Sequence, residues 1–193
     1  MMISHWIVLI SWLAFIGYWA VSAIGVKKDT TSEIGWWSRR AITIRLALAA
    51  VIILLVIFRS QNVGRIFENR GYVFGTAVSD AGAVLCVLGT VFAIWARWHL
   101  GKNWSSRPTL KEGHELVTSG PYGFVRHPIY TGILTSALGS ALVAGSFWLM
   151  ILVVLCFVFV RRVSKEEQLM MRQFPNEYPE YKKQTKALIP FIW

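Results

Sequence analysis

The sequence predicts an all-α integral membrane protein: one membrane domain over residues 1–193, with five transmembrane helices of which the last two form a C-terminal hairpin. Three observations carry that expectation. Charged residues make up 16% of the chain, where a soluble domain would have roughly 25%. Ten Trp, six Tyr and eleven Phe supply the aromatic excess that collects at bilayer interfaces. Apolar tracts long enough to cross a bilayer recur along the chain. The net charge of +10 then suits anionic lipid and a positive inner side better than nucleic acid, and no nucleic-acid partner is expected.

The first span covers residues 3–26. No Lys or Arg precedes it, and its apolar core is long, which favours a retained helix over a cleaved signal peptide. The second covers 41–58, with Arg45 near enough to its start to snorkel. The third, 72–98, has 27 residues and must tilt or protrude. The last tract, 129–160, has 32 residues. As one helix it would reach ~48 Å, against a hydrocarbon core of ~30 Å. Gly145-Ser146 is the predicted fold point, giving spans of about 129–144 and 147–160. Basic residues flank the outer ends at Arg126 and Arg161-Arg162, and the turn has none. Both ends of the hairpin are therefore expected on one membrane face.

Orientation follows from the loop charges. With the N-terminus outside, sixteen Lys and Arg fall on the inner side and three on the outer, so the active region faces the cytoplasm. Small residues every four positions, Gly71, Gly75, Ser79, Ala83 and then Gly132, Ser136, Ser140, predict close helix contacts. Asp80 lies near the outer end of the third span, where a structural hydrogen bond suits it better than chemistry. Cys86 and Cys156 sit in apolar runs without metal-ligand spacing, and no metal site is expected.

Reactive side chains concentrate in a region of about 99–130 and another of about 161–190, on either side of the hairpin. If the chain doubles back near Gly145, Arg126 and His127 become neighbours of Arg162, Glu166 and Glu167. Arg162 and Glu166 are four apart and share a helix face. A plain ion pair worth ~0.3 kcal/mol explains that spacing as well as a ligand site does. His127 before Pro128 suits a helix start, and Tyr122 and Tyr130 suit an aromatic belt. Their joint occurrence opposite a Glu-Glu pair favours a site. No Ser-His-Asp set or nucleotide-binding turn is apparent, and His5, His99 and His114 are scattered. The spans lack the polar, broken midplane helices of a transporter.

The segments "HELVTSGPYGFVRHPIYTG" and "EEQLMMRQFPNEYPEY" resemble the isoprenylcysteine carboxyl methyltransferases, of bacterial or archaeal type, and the related phospholipid methyltransferases. The resemblance covers about residues 95–190. It implies an S-adenosylmethionine-dependent methyltransferase. It also implies that His114, Glu115, Leu116 and Val117 run along the cofactor. Tyr122, His127, Pro128, Ile129, Tyr130 and Glu166 would complete that pocket. Arg162 takes the place of the family's substrate-binding Arg, with Arg126 as a second candidate. Asn103 falls near the reaction centre, and Glu167 is the nearest base if one is needed. Arg107 stands where some relatives have a cofactor-contacting Gln, and Pro175 where Gly is usual.

The implied reaction is methyl transfer to an amphiphilic acceptor, foremost carboxyl O-methylation of an isoprenylcysteine-like group. Phospholipid headgroup N-methylation, small-thiol S-methylation and a non-catalytic membrane scaffold or transporter are the alternatives. The expected partners are a prenylated or otherwise lipid-like substrate and the membrane lipids. In the tail, Asn176 is a candidate cap for a short helix with Pro179 in its first turn. Beyond it, "KKQTKALIPFIW" is expected either to lie on the membrane surface or to fray.

Overall fold

Small residues decide how the helices of this chain meet. The computed structural model describes residues 3–22, 75–101, 115–190 and 192, and the predicted second span lies outside them. Within them the elements are α1 (Ile3–Ser22), α2 (Gly75–Leu100), a 3-10 turn (Gly120–Gly123), α3 (Pro128–Ala144), α4 (Ser146–Gln173) and α5 (Glu177–Gln184). The regular elements among the described residues are all helical. α1, α2 and α4 are long and apolar enough to cross a membrane, and α3 is a shorter apolar helix.

α2 packs most extensively against α3, and α1 lies across both. Gly82 of α2 faces Gly139 of α3, and Gly89 faces Gly132. A Cβ on Gly89 would sit 2.5 Å from the Ser136 nitrogen, and one on Gly132 would sit 2.6 Å from the Gly89 oxygen. The backbones are therefore closer than any side chain allows. The buried stripe of α2 runs Ser79, Gly82, Ala83, Cys86, Gly89, Thr90, Ala93, Ala96 and Arg97. It departs from the expected four-residue repeat, in which Gly75 is exposed. Steps of four drift by 40° each around a helix, while alternating steps of three and four hold one face.

Hydrogen bonds fasten the same seam. Thr90 and Ser136 hydroxyls lie 3.1 Å apart, Ser136 donates to the Cys86 carbonyl, and Trp12 Nε1 donates to Ser140. Asp80 accepts from Ser4 at 2.8 Å, the structural role expected of it. Cys86 and Cys156 are both free.

The apolar tract folds at Gly145, as predicted. This residue has φ 82° and ψ −151°, a region reserved for glycine, and it separates α3 from α4. α4 is 28 residues long, or ~42 Å, and its apolar part ends at Val160. Arg161–Gln173 continue the helix ~20 Å beyond that boundary. Met150, Val153, Val154 and Phe157 are exposed on the apolar part, as a helix facing lipid requires.

The tail differs from the cap expected for it. α5 begins after Asn176 with Pro179 in its first turn, but Asn176 is helical in its own backbone and its side chain makes no cap bond. Glu177 and Glu180 in the first turn supply the favourable interaction with the helix dipole instead. Ala187 and Leu188 are buried against Val163, with Tyr130 and Leu134 beside them. The chain is anchored there as far as Leu188, and Ile189 and Ile192 beyond it are exposed.

Candidate active site at the mouth of the hairpin

Two constraints set the position of His127. Pro128 opens α3 and leaves His127 at the cap position, where its side chain makes no cap bond and is free to turn toward α4. The tail holds the backbone: Arg126 N donates to Lys186 O at 2.8 Å and His127 N to Ala187 O at 3.0 Å, beside a parallel bridge between Val125 and Lys186. Thr131 Oγ1 donates to Leu188 O one turn later. The hairpin returns Arg162, Glu166 and Glu167 to this surface on the part of α4 beyond Val160.

The two adjacent carboxylates face different partners. Glu166 accepts from the Tyr130 hydroxyl at 2.6 Å and from Arg162 Nε at 2.8 Å, and lies 3.5 Å from His127 Nδ1. Glu167 pairs with Arg126 at 2.7 Å and with Lys182 Nζ at 2.6 Å, and lies 3.7 Å from His127 Nε2. Arg126 also donates to the carbonyls of Lys182 and Thr185. The His127 ring stacks on Tyr130 with centroids 5.6 Å apart, and Tyr130 stacks on Phe159 at 4.4 Å. His127 Nε2 is buried without a hydrogen-bond partner among the described residues.

These contacts set the charges. Burial pushes the Glu167 carboxyl up, but His127, Lys182 and Arg126 outweigh it and hold its pKa at about 2. Glu166 is also below the usual range: burial raises it, and His127, Arg162 and Tyr130 lower it further. Burial lowers the His127 imidazolium, yet the two carboxylates carry it above its ordinary value. All three groups lie beyond the apolar spans.

Of the residues expected at the site, Arg126, His127, Tyr130, Arg162, Glu166 and Glu167 come together. Pro128 and Ile129 are buried beneath them. Tyr122 is buried with Ala96 and Ile129, and Val117 packs against that cluster; Leu116 is half-buried and Glu115 exposed. Asn103, Arg107 and His114 lie outside the described residues. Two of the expected residues are already engaged: Glu167 with His127, Lys182 and Arg126, and Arg126 with Glu167 and the tail.

Sequence reasoning missed four contributors. Lys182, Thr185 and Tyr181 hold the tail to the site, with Tyr181 OH donating to Tyr122 O at 2.6 Å. Their shared face, with Tyr178, at positions i, i+3, i+4 and i+7 was a legible signal. His99, set aside as scattered, bonds Ser119 at 3.0 Å and lies against Gly120, where a Cβ would meet its ring at 2.8 Å.

A set of paired carboxylates and cations suits a ligand that is itself zwitterionic. The sequence pattern of the phospholipid methyltransferase family matches residues 78–177 of this chain. A protein-S-isoprenylcysteine O-methyltransferase of Schizosaccharomyces pombe is 33% identical over 125 residues, covering 63% of this chain and 52% of the relative. Protein-S-isoprenylcysteine O-methyltransferase B of Arabidopsis thaliana is 27% identical over 119 residues, 60% of each chain. The nickel-cobalt-cadmium resistance protein NccN of Alcaligenes xylosoxydans xylosoxydans is 26% identical over 163 residues, 83% of this chain and 66% of the relative. The chain thus spans between about half and two thirds of the length of these relatives.

Proposed function

The chain belongs to the phospholipid methyltransferase family, and on that premise we propose that it is an integral membrane methyltransferase acting on a lipid-like acceptor with S-adenosylmethionine as donor. The favoured reaction is carboxyl O-methylation of an isoprenylcysteine-like group. The observation that carries this reading is the meeting of His127 and Tyr130 with Glu166 and Arg162 just beyond the apolar part of α4. A water-soluble donor and a lipid-soluble acceptor can both reach that level of the membrane.

S-adenosylmethionine supplies, when bound, a methyl group already activated on a sulfonium. The chain's own residues then have to bind, orient and exclude water. Glu166 is the carboxylate for the donor's ammonium, because among the described residues one partly exposed cation, Arg162, balances it besides the His127 ring. Before the donor arrives, His127 and Tyr130 orient that carboxylate through Nδ1 and the hydroxyl. Arg162 offers a planar fork to an acceptor carboxylate, next to the Tyr130 ring. A carboxylate acceptor needs no general base, which agrees with a Glu167 already paired with Arg126 and Lys182. An amine or thiol acceptor would need a base that Glu167 does not supply. The charge asymmetry of the loops supports a cytoplasmic site and an outer N-terminus.

The family description favours phospholipid N-methylation as a second reading. Membranes containing the protein, incubated with methyl-labelled donor, separate the two. A carboxyl methyl ester releases volatile labelled methanol in mild base, and an N-methyl product keeps its label. Transfer to no lipid-phase product, together with no saturable donor binding, would leave a scaffold or transporter as the better account.

A further inference from the structure

His127 turns each of its ring nitrogens to a different carboxylate: Nδ1 to Glu166 at 3.5 Å and Nε2 to Glu167 at 3.7 Å. A neutral imidazole has one N–H and one lone pair. In either tautomer, one nitrogen would aim a lone pair at a carboxylate oxygen. Only the imidazolium offers a proton in both directions. The ring is nine-tenths buried, so solvent does little to screen that repulsion.

The groups packed around the ring set the balance. From α4, Glu166 and Glu167 face it, with Arg162 on Glu166. From α3, Tyr130 stacks on it and donates to Glu166. Arg126 from the preceding loop and Lys182 from α5 both hold Glu167, and the Tyr178 hydroxyl lies in their field. Glu167 therefore has two cations besides the imidazolium. Glu166 has one among the described residues, the partly exposed Arg162, and a neutral hydroxyl. Glu166 is the carboxylate with charge left to offer a ligand.

We propose that the ammonium of an amino-acid-bearing ligand enters at Glu166 in exchange for the Nδ1 proton of His127. Arrival of that cation takes the acceptor from Nδ1–H and sets a like charge beside the imidazolium. The Nδ1–H bond breaks and the proton passes to solvent, leaving a neutral ring. That ring keeps Nε2–H toward Glu167 and presents the Nδ1 lone pair to an N–H of the ligand. No other bond changes and no redox partner is needed. The exchange rests on the reading of this site as the S-adenosylmethionine site, and it makes donor binding tighter as pH rises through the titration of His127.

Calorimetric titration of the purified full-length protein with S-adenosylmethionine tests this, in buffers of low and high ionisation enthalpy at about pH 7. The slope of binding heat against buffer enthalpy counts protons. Wild type is expected to release more protons per ligand, up to about one, than His127→Gln, a comparison that removes any contribution from the ligand's own amine. Equal slopes would overturn the exchange. If His127→Gln does not bind, wild type alone decides. Its Kd should tighten as pH rises from about 6 to 7, below the titration of the ligand's own ammonium at about 7.7, and a flat profile there overturns the proposal. Saturable binding without a proton difference leaves the donor reading standing. No saturable heat in any buffer removes that reading and the exchange with it.

Discussion

Glu166 and Glu167 are neighbours in sequence with different tasks, and α4 makes them so by turning them 100° apart. Glu166 faces Tyr130 and Arg162; Glu167 faces Arg126 and Lys182. Removing the charge at Glu166 should therefore weaken donor binding about 10–100-fold, the usual worth of a charge-assisted bond. Glu166→Gln in calorimetry checks it, and unchanged affinity would remove Glu166 from the site. Arg126→Ala should instead lower stability by about 2 kcal/mol, through the orphaned carbonyls of Lys182 and Thr185. Arg126→Lys should recover only part of that, because an ammonium cannot serve three acceptors in fork geometry. Thermal unfolding in detergent reads both. The pH dependence has two limbs of opposite sign. Glu167 has its carboxyl lowered from an ordinary 4.5 to about 2, so its stabilisation is whole above about pH 4.5 and is lost as pH falls toward 2. His127 is raised from 6.5, so its contribution is whole below that value and is lost as pH rises through the folded one. Glu167→Gln should shrink the acid limb to the share of Glu166 and should also reduce the His127 limb, because Glu167 is one of the two carboxylates that raise that ring.

Between elements, the decisive contact is the glycine-on-glycine seam of α2 and α3. Gly89→Val should force the two backbones apart and cost about 1–3 kcal/mol. Gly17→Ala is the control: nothing lies within 4 Å of a Cβ there, so the change should be neutral or slightly stabilising. Equal effects of the two on detergent unfolding would mean that the seam is not tight. The spacing of small residues made this contact legible, but the stripe continued differently from the expected repeat. A four-residue count identifies a helix face only over one or two turns. The fold at Gly145 was more legible, because the length of the tract and the bilayer thickness leave no other solution. His99 was not. Its value comes from Gly120, which presents a bare backbone to its ring from twenty-one residues away.

At the scale of the whole molecule, the tail closes the mouth of the hairpin. Lys186 and Ala187 accept from the backbone of Arg126 and His127, while Leu188 packs beneath them. The opposite end of the hairpin at Gly145 should then face the other side of the membrane. In a Cys156→Ala background, an impermeant thiol reagent should label Ala144→Cys and Lys183→Cys from opposite faces. Labelling of both from one face would refute the two-sided hairpin.

Hydropathy and loop charge are sums over local sequence, and they sufficed to determine that this chain inhabits a membrane and that its polar ends of the hairpin meet. The resemblance of residues 114–132 and 166–181 to a methyltransferase family was likewise readable without coordinates. Which carboxylate serves a ligand and which holds the tail was not. That division depends on the rotation of α4 about its own axis and on where residues 182–188 return. Both are fixed by contacts between segments about forty to sixty residues apart, and so only the folded molecule decides them.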